Sequence, residues 1–382
     1  MPWAETSIVQ ERIRFIADYN SGLYSMTELC FRFGVSRQTG YKWVRRYQRE
    51  GALGLEDRSR APHRCPHRMS EEAERAILTA RRRHPTWGPR KLLAWLAARE
   101  PKLELPAPGR VGALLARKGL VKKRRRRPRR WIHPGRPCFV TRAPNDLWTV
   151  DFKGEFRLGD RSYCYPLTVA DQHTRYVLGI HALEAPEGDG TRARMERVFR
   201  EAGLPRAIQT DNGSPFASRG IHGLSRLSVW WIELGIQPVR IEPAHPEQNG
   251  AHERMHRTLK AETVRPPAPN RRAQQRRFDR FRRIFNQERP HEALGLKPPA
   301  SRWHPSPRGY PDPLPSPDYP ERFEVRWVSD AGSFCWKRPM FIGMALAGKR
   351  IGLEEIDDGI WSVYFHRVLL GRFDERKLKL YP

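Results

Sequence analysis

Cysteine is scarce in this chain: five in 382 residues, at positions 30, 65, 138, 164 and 335, with no Cys-x-x-Cys pair. An odd, scattered set excludes a disulfide framework and favours reduced thiols. His63-x-Cys65-x-His67 is too tightly spaced for a zinc half-site, and no second half follows. Also missing are an apolar run long enough to span a bilayer and a signal-type apolar segment near the N-terminus. A soluble cytoplasmic protein with no membrane partner is therefore expected. Acid is the third shortage: 42 Asp and Glu stand against 71 Lys and Arg, giving a formal net charge of +29 and a pI near 10.7. Such a surface selects a polyanionic partner.

What acid there is falls in suggestive places. Asp151 lies inside the apolar, β-branched run Leu147-Trp148-Thr149-Val150-Asp151-Phe152, where a strand is expected and a charge is not needed for folding. Burying it unpaired costs several kcal/mol, so a cationic partner is expected. Asp211 closes a second short apolar segment, which Asn212-Gly213 then breaks. Glu253 falls in the first turns of a helix opening near Asn249-Gly250. On a helical wheel Glu253, Arg257 and Lys260 share one face, opposite Ala251, Met255 and Leu259. Three convergent carboxylates are hard oxygen ligands that suit Mg²⁺ or Mn²⁺. Two such ions activate an attacking oxygen and stabilise the leaving one in phosphoryl displacement.

The chain at these residues resembles the retroviral-integrase-like DDE transposases, in particular those of bacterial insertion sequences. The resemblance is carried by Trp148-x-x-Asp151, by Asp211-Asn212-Gly213, by Pro246, Asn249, Gly250, Glu253, Arg254, Thr258, Leu259 and Lys260, and by Arg289-Pro290-His291-Glu292-Ala293-Leu294. It covers roughly residues 141–302 well and the N-terminal part loosely. It implies Asp151, Asp211 and Glu253 as catalytic metal ligands, double-stranded DNA (element ends and target) as substrate, a nucleoid-associated location and a homodimer or larger assembly on DNA. Forty-one residues separate Asp211 from Glu253, a longer interval than is usual in integrases. Glu247 lies nearer the usual distance but lacks the motif context.

Helices are expected at residues 7–19, 27–33 and 37–49, with Gly34-Val35-Ser36 as the turn and Ser36 as a cap. This is helix-turn-helix grammar. Arg37, Gln38, Lys42 and Arg45 stand on the third helix as candidate DNA contacts. Residues 54–69 read as a linker. Helices at 70–83, 90–99 and 110–118 resemble the second helix-turn-helix of many such transposases. From 122 to 130 every residue but Pro128 is basic, so Lys122, Lys123, Arg124, Arg125, Arg126 and Arg127 form a candidate phosphate-contacting arm.

Beyond the arm, strands are expected at 148–156, 163–170 and 175–182, a helix at 191–202, the Asp211 strand, a helix at 224–234, a strand at 238–241 and the Glu253 helix. The order fits the ribonuclease-H-like fold that the resemblance implies. Asp171, between two strands, reads as a turn acid, and His245 as a loop residue near substrate. A proline-rich stretch at 297–320 reads as a semi-rigid spacer. Strands at 323–328, 351–356, 360–365 and 368–373, with Asp357-Asp358-Gly359 as a hairpin turn, read as a small all-β barrel.

The expected fold is thus multidomain. All-α helix-turn-helix units occupy 1–60 and 61–121, followed by a basic arm at 122–140. An α/β ribonuclease-H-like catalytic core spans 141–296, the spacer 297–320 and the barrel 321–382. The expected function is transposition: binding element ends, then metal-dependent strand cleavage and transfer. Its rivals are a nuclease that hydrolyses without joining and a non-catalytic DNA-binding regulator derived from a transposase.

Overall fold

The computed structural model describes residues 7–58, 69–121, 139–218, 223–242 and 246–381, which form two compact units, 1–68 and 69–382. The basic arm from Lys122 to Arg130 and His245 lie outside the described residues.

In the first unit, helices α1 (Ile8–Asn20), α2 (Met26–Arg32) and α3 (Arg37–Glu50) start on serines. Ser7 and Ser25 form capping boxes with Gln10 and Glu28, and Ser36 accepts from the Thr39 amide. Phe15, Ile16, Leu29, Cys30, Trp43, Val44 and Leu55 make the core. Leu55 corrects the expected linker start at 54: a 3₁₀ turn, Gly51–Leu55, folds that leucine back into the bundle. Gly40 sets the helix crossing, because a Cβ there would sit 2.8 Å from Cys30 Sγ and 3.0 Å from Phe15 Cζ. Gly40→Ala is therefore expected to destabilise this unit by ~1–3 kcal/mol through overpacking, despite alanine's better helix propensity. A higher melting temperature for this variant would refute the close crossing.

The second unit opens with α4 (Glu71–Arg83), α5 (Pro89–Arg99) and α6 (Pro108–Arg117), packed around Ile77, Trp87, Leu92, Leu96, Val111 and Leu115. This trio is docked on a helix that sequence reading missed, α10 (Arg271–Gln287), whose Ile284 packs against its core. Glu288, at the end of α10, accepts from Arg83 (3.4 Å), Arg99 (3.2 Å) and the Trp95 indole (3.4 Å).

The mixed sheet contains β1 (Leu147–Phe152), β2 (Phe156–Arg157), β3 (Tyr163–Asp171), β4 (Val177–Leu183), β5 (Ala207–Thr210) and β6 (Gln237–Arg240). Its order is β2-β3-β1-β5-β6 with β4 on β3; β1, β3 and β4 run antiparallel, while β1, β5 and β6 run parallel. The expected first strand stops short at Phe152, and the third starts at Val177 because Asp171–Arg175 is a tight turn with Arg175 at φ 65°. Strand alternation sorts the faces. Trp148 and Val150 enter one core with Phe199 of α7 (Gly188–Ala202) and Trp230 of α8 (Arg226–Glu233). Thr149 and Asp151 turn to the other face, under α9 (Gly250–Leu259). That face's core joins Met255 and Leu259 to Phe278, Phe281 and Phe285 of α10.

The proline-rich stretch does not stand off the core. Trp303 stacks on Tyr176 at 4.1 Å, and Arg308 donates to the carbonyls of Pro205, Leu234 and Gly235 at 2.8–3.0 Å. It is a strap rather than a spacer.

The C-terminal region is all-β, but among the described residues it is not a closed barrel. Strands β7 (Glu324–Trp327), β10 (Arg350–Asp357), β11 (Ile360–Phe365), β12 (Val368–Asp374) and β13 (Lys379–Tyr381) form one antiparallel sheet, β13-β12-β11-β10-β7. The hairpin β8 (Ser333–Trp336) and β9 (Arg338–Phe341) pairs separately. Closure is not needed to bury the inner face, because Val229 and Ile232 of α8 join Ile351, Phe365 and Phe373 in one core.

Candidate active site

Parallel pairing of β1 with β5 places Thr149 opposite Gln209, and two residues further along lie Asp151 and Asp211, side by side at the carboxyl ends of adjacent strands. Asp151 is pushed up to about 7, first by burial and then by the charge of Asp211. Lys153 and a 3.3 Å hydrogen bond from Asn249 Nδ2 act the other way. Among the described residues, no Lys or Arg pairs with Asp151 as the expected cationic partner. Among the described residues, the group within ion-pair distance is His256, its Nδ1 3.8 Å from Asp151 Oδ2, and burial lowers that imidazole to about 2. Two adjacent carboxylates, one desolvated and lacking a strong counter-charge, suit a divalent cation.

Glu253 is exposed on α9, and among the described residues it forms no hydrogen bond or ion pair with Asp151 or Asp211. Its phase is nonetheless suggestive: it lies four residues after Asn249 and three before His256, both of which reach Asp151. Met255 and Leu259 are buried, as the wheel requires, while Arg257 and Lys260 are exposed. At Lys260 the helix passes into a π-helical stretch, Lys260–Val264, so α-helical phase does not extend past it. Glu247 lies in the turn Pro246–Asn249, its side chain outside the described set. Asp171 is a turn acid: it accepts from the amides of Asn145 (2.9 Å) and Thr174 (2.7 Å) and from the Thr174 hydroxyl. Arg37, Gln38, Lys42 and Arg45 are all exposed on α3.

Sequence reading missed the buried polar layer beneath Asp151. Asp151, His252 and His256 bring ligand-type atoms within 4.8 Å of one another. Counting protons decides what this group is. Thr168 Oγ1 gives its proton to the Asp151 carbonyl (2.8 Å), so its oxygen accepts from His252 Nε2 (2.6 Å) and His256 Nε2 (2.7 Å). His252 Nδ1 then accepts from Thr149 Oγ1 at 2.6 Å, so the one hydroxyl proton of Thr149 goes to the ring rather than to the Ala170 carbonyl at 3.2 Å. Both ring nitrogens of His252 are thus spent on threonines, which makes it a brace between α9 and the sheet. His256 keeps one lone pair, on Nδ1, aimed at Asp151. Its local trace in the sequence is slight: two histidines four apart on one helix, with their threonine partners on two separate strands.

The raised Asp151 carries a sign. An ionised Asp151 disfavours the metal-free fold fully above pH 7, less as pH falls, and not at all below its ordinary 3.8. Without divalent metal, Asp151→Asn is expected to melt above the parent at pH 8, by a margin that three units bound at about 4 kcal/mol. The margin should vanish near pH 4; the histidines titrate in both proteins and cancel. Equal melting at pH 8 would remove the desolvated-carboxylate description.

Residues 11–63 match a helix-turn-helix domain family and 39–115 a homeodomain-like one. Residues 141–246 and 234–299 match two integrase core domain families, and 323–380 match the C-terminal domain of IS481-family transposases. An uncharacterized 39.2 kDa protein of insertion element IS476 from Xanthomonas euvesicatoria is 30% identical over 179 residues, 47% of this chain and 50% of that one. An uncharacterized 31.7 kDa protein of insertion element IS407 from Burkholderia multivorans is 28% identical over 193 residues, 50% of this chain and 67% of that one. The chain spans about half the length of the former. Among solved structures, a simian T-cell lymphotropic virus intasome in complex with a PP2A regulatory subunit aligns over 77% of this chain and 97% of its own at 17% identity and TM-score 0.38. The HTLV-2 integrase catalytic core with magnesium aligns over 42% and 98% at 16% identity and TM-score 0.34. One chain thus carries, in order, matches to helix-turn-helix domains, to integrase core domains and to the C-terminal domain of IS481-family transposases.

Proposed function

We propose that this protein binds the ends of a mobile DNA element and, with Mg²⁺ or Mn²⁺, cleaves DNA strands and joins them to a target. The observation that carries the reading is the parallel register that sets Asp151 beside Asp211, with Asp151 desolvated. Asp151, Asp211 and Glu253 would hold the metal, which when bound polarises the scissile phosphate and activates the attacking water or 3′-hydroxyl.

The chain's own residues hold and steer. Asn249 fixes one oxygen of Asp151, and the His252–Thr149–Thr168 brace fixes the start of α9 against the two strands. The amino end of α9 brings its positive dipole to the same place, which favours an anionic phosphate. Arg257 and Lys260, exposed one and two turns beyond Glu253, would hold flanking phosphates. Arg37, Gln38, Lys42 and Arg45 would read the terminal sequence from the major groove, and Lys122 to Arg127 would track the backbone between recognition and catalysis. Two element ends must be held at once, which calls for a homodimer or larger assembly.

Incubating the full chain with its flanking terminal DNA and Mg²⁺, then mapping products, tests this. Nicked ends together with joined strands are expected. Nicked ends alone would make it a nuclease, and bound but uncut DNA a regulator.

A further inference from the structure

Beside the buried pair Thr149 and His252, which line its wall, a cavity of about 400 Å³ opens between α5, the β3–β4 turn, α9 and the segment after α10. That is the small end of the ~300–1,000 Å³ typical of ligand pockets. Four cationic side chains line it, each from a different element: Lys91, Arg175, Arg254 and Arg289. Two carboxylates also line it, and one of them is occupied, since Asp171 takes its three hydrogen bonds from its own turn and from Asn145. The other, Glu292, is exposed.

The cations are poorly answered. Arg175 Nη1 is shielded from solvent and has no hydrogen-bond partner, as is His291 Nε2 on the same wall. Among the described residues, Lys91, Arg175 and Arg254 form no ion pair. Arg289 alone is paired, at 3.0 Å with Glu262, and it is 7% exposed. The groups repel one another as well: burial and Arg289 bring Lys91 down to about 8 against the pull of Glu292 and Glu262, and Arg254 adds to the burial cost on Arg175. Leaving partly buried cations facing an open cavity is costly unless an anion enters it. Guanidinium forks converging from separate elements suit a tetrahedral oxyanion, which accepts along several directions at once.

We infer that this cavity is a phosphate-binding site, held by Lys91, Arg175, Arg254 and Arg289. Its occupant is a phosphate oxyanion, either a backbone phosphodiester of bound DNA or a free phosphate. It goes beyond the proposed strand chemistry, and its test reads no cleavage, so the two fail separately.

Lys91 reports occupancy residue by residue. At pH 8 a large share of its amine is free, so an amine-acylating reagent labels it, and mass spectrometry quantifies the label on the full chain. Binding of an anion beside it is expected to raise the ammonium pKa by one unit or more and lower labelling by about fivefold or more. The probes are pyrophosphate and a short duplex of the element end, with acetate at matched ionic strength as control. Protection by both, or by the duplex alone, supports the site and separates a free from a backbone phosphate. In either case protection must be lost in Arg175→Gln. Arg254→Gln, an exposed change that leaves packing intact, must weaken it as well should Arg175→Gln fail to fold. Labelling unchanged by either probe, lowered equally by acetate, or still protected in both variants overturns the inference.

Discussion

Asp151→Asn is expected to lower strand cleavage by at least ~10³-fold while leaving binding of end DNA within a few fold. In the proposed role of Asp151 as a metal ligand, the amide would remove a charge worth several kcal/mol to the reacting phosphate, and each 1.36 kcal/mol is a factor of ten. Asp211→Asn should do the same, because its carboxylate adjoins that of Asp151 across the parallel strand pair. Glu253→Gln is the discriminating change, since Glu253 is exposed on α9 rather than packed with the aspartates. A matching loss assigns it to the metal. Full activity in Glu253→Gln would shift the third ligand to Glu247. The same Asp151→Asn protein should be the more stable one without metal at pH 8, so a loss of activity there cannot be put down to unfolding.

The largest expected stability effect lies in α10. Phe278 is fully buried, between α9 and strands β3 and β4, in the cluster that also holds Leu259, Val177 and Ile180. Phe278→Ala should cost ~3–5 kcal/mol, from lost transfer energy and from the cavity left behind. Arg276→Ala, exposed on the same helix, should stay within ~0.5 kcal/mol. Denaturant midpoints of the two variants measure the difference. A midpoint shift for Phe278→Ala no larger than for Arg276→Ala would mean that α10 does not close this face of the sheet.

That helix also shows where the sequence was hard to read. Residues 271–287 carry seven arginines, and overall polarity hides a narrow stripe of Phe278, Phe281 and Phe285 at helical spacing. The periodicity is present but diluted. Elsewhere local signals sufficed: Ser7, Ser25, Ser36 and Ser70 begin their helices, and the alternation in β1 sorts Trp148 from Thr149. Asp151 and Asp211 were legible because each ends or interrupts an apolar strand. His252 and His256 were not, because their role depends on threonines about a hundred residues upstream. The barrel was over-read for a related reason: its strands are written locally, whereas the contact that replaces closure comes from α8, far away in sequence.

That last contact bears on how the chain is made. Val229 and Ile232 leave the ribosome more than a hundred residues before Phe365 and Phe373, which cover them. At ~5–20 residues per second, the nascent core therefore waits roughly 7 to 30 seconds with one side of α8 bare. A chain ended at residue 320 waits indefinitely. Such a shortened protein is expected to self-associate through α8, however well its mixed sheet has formed.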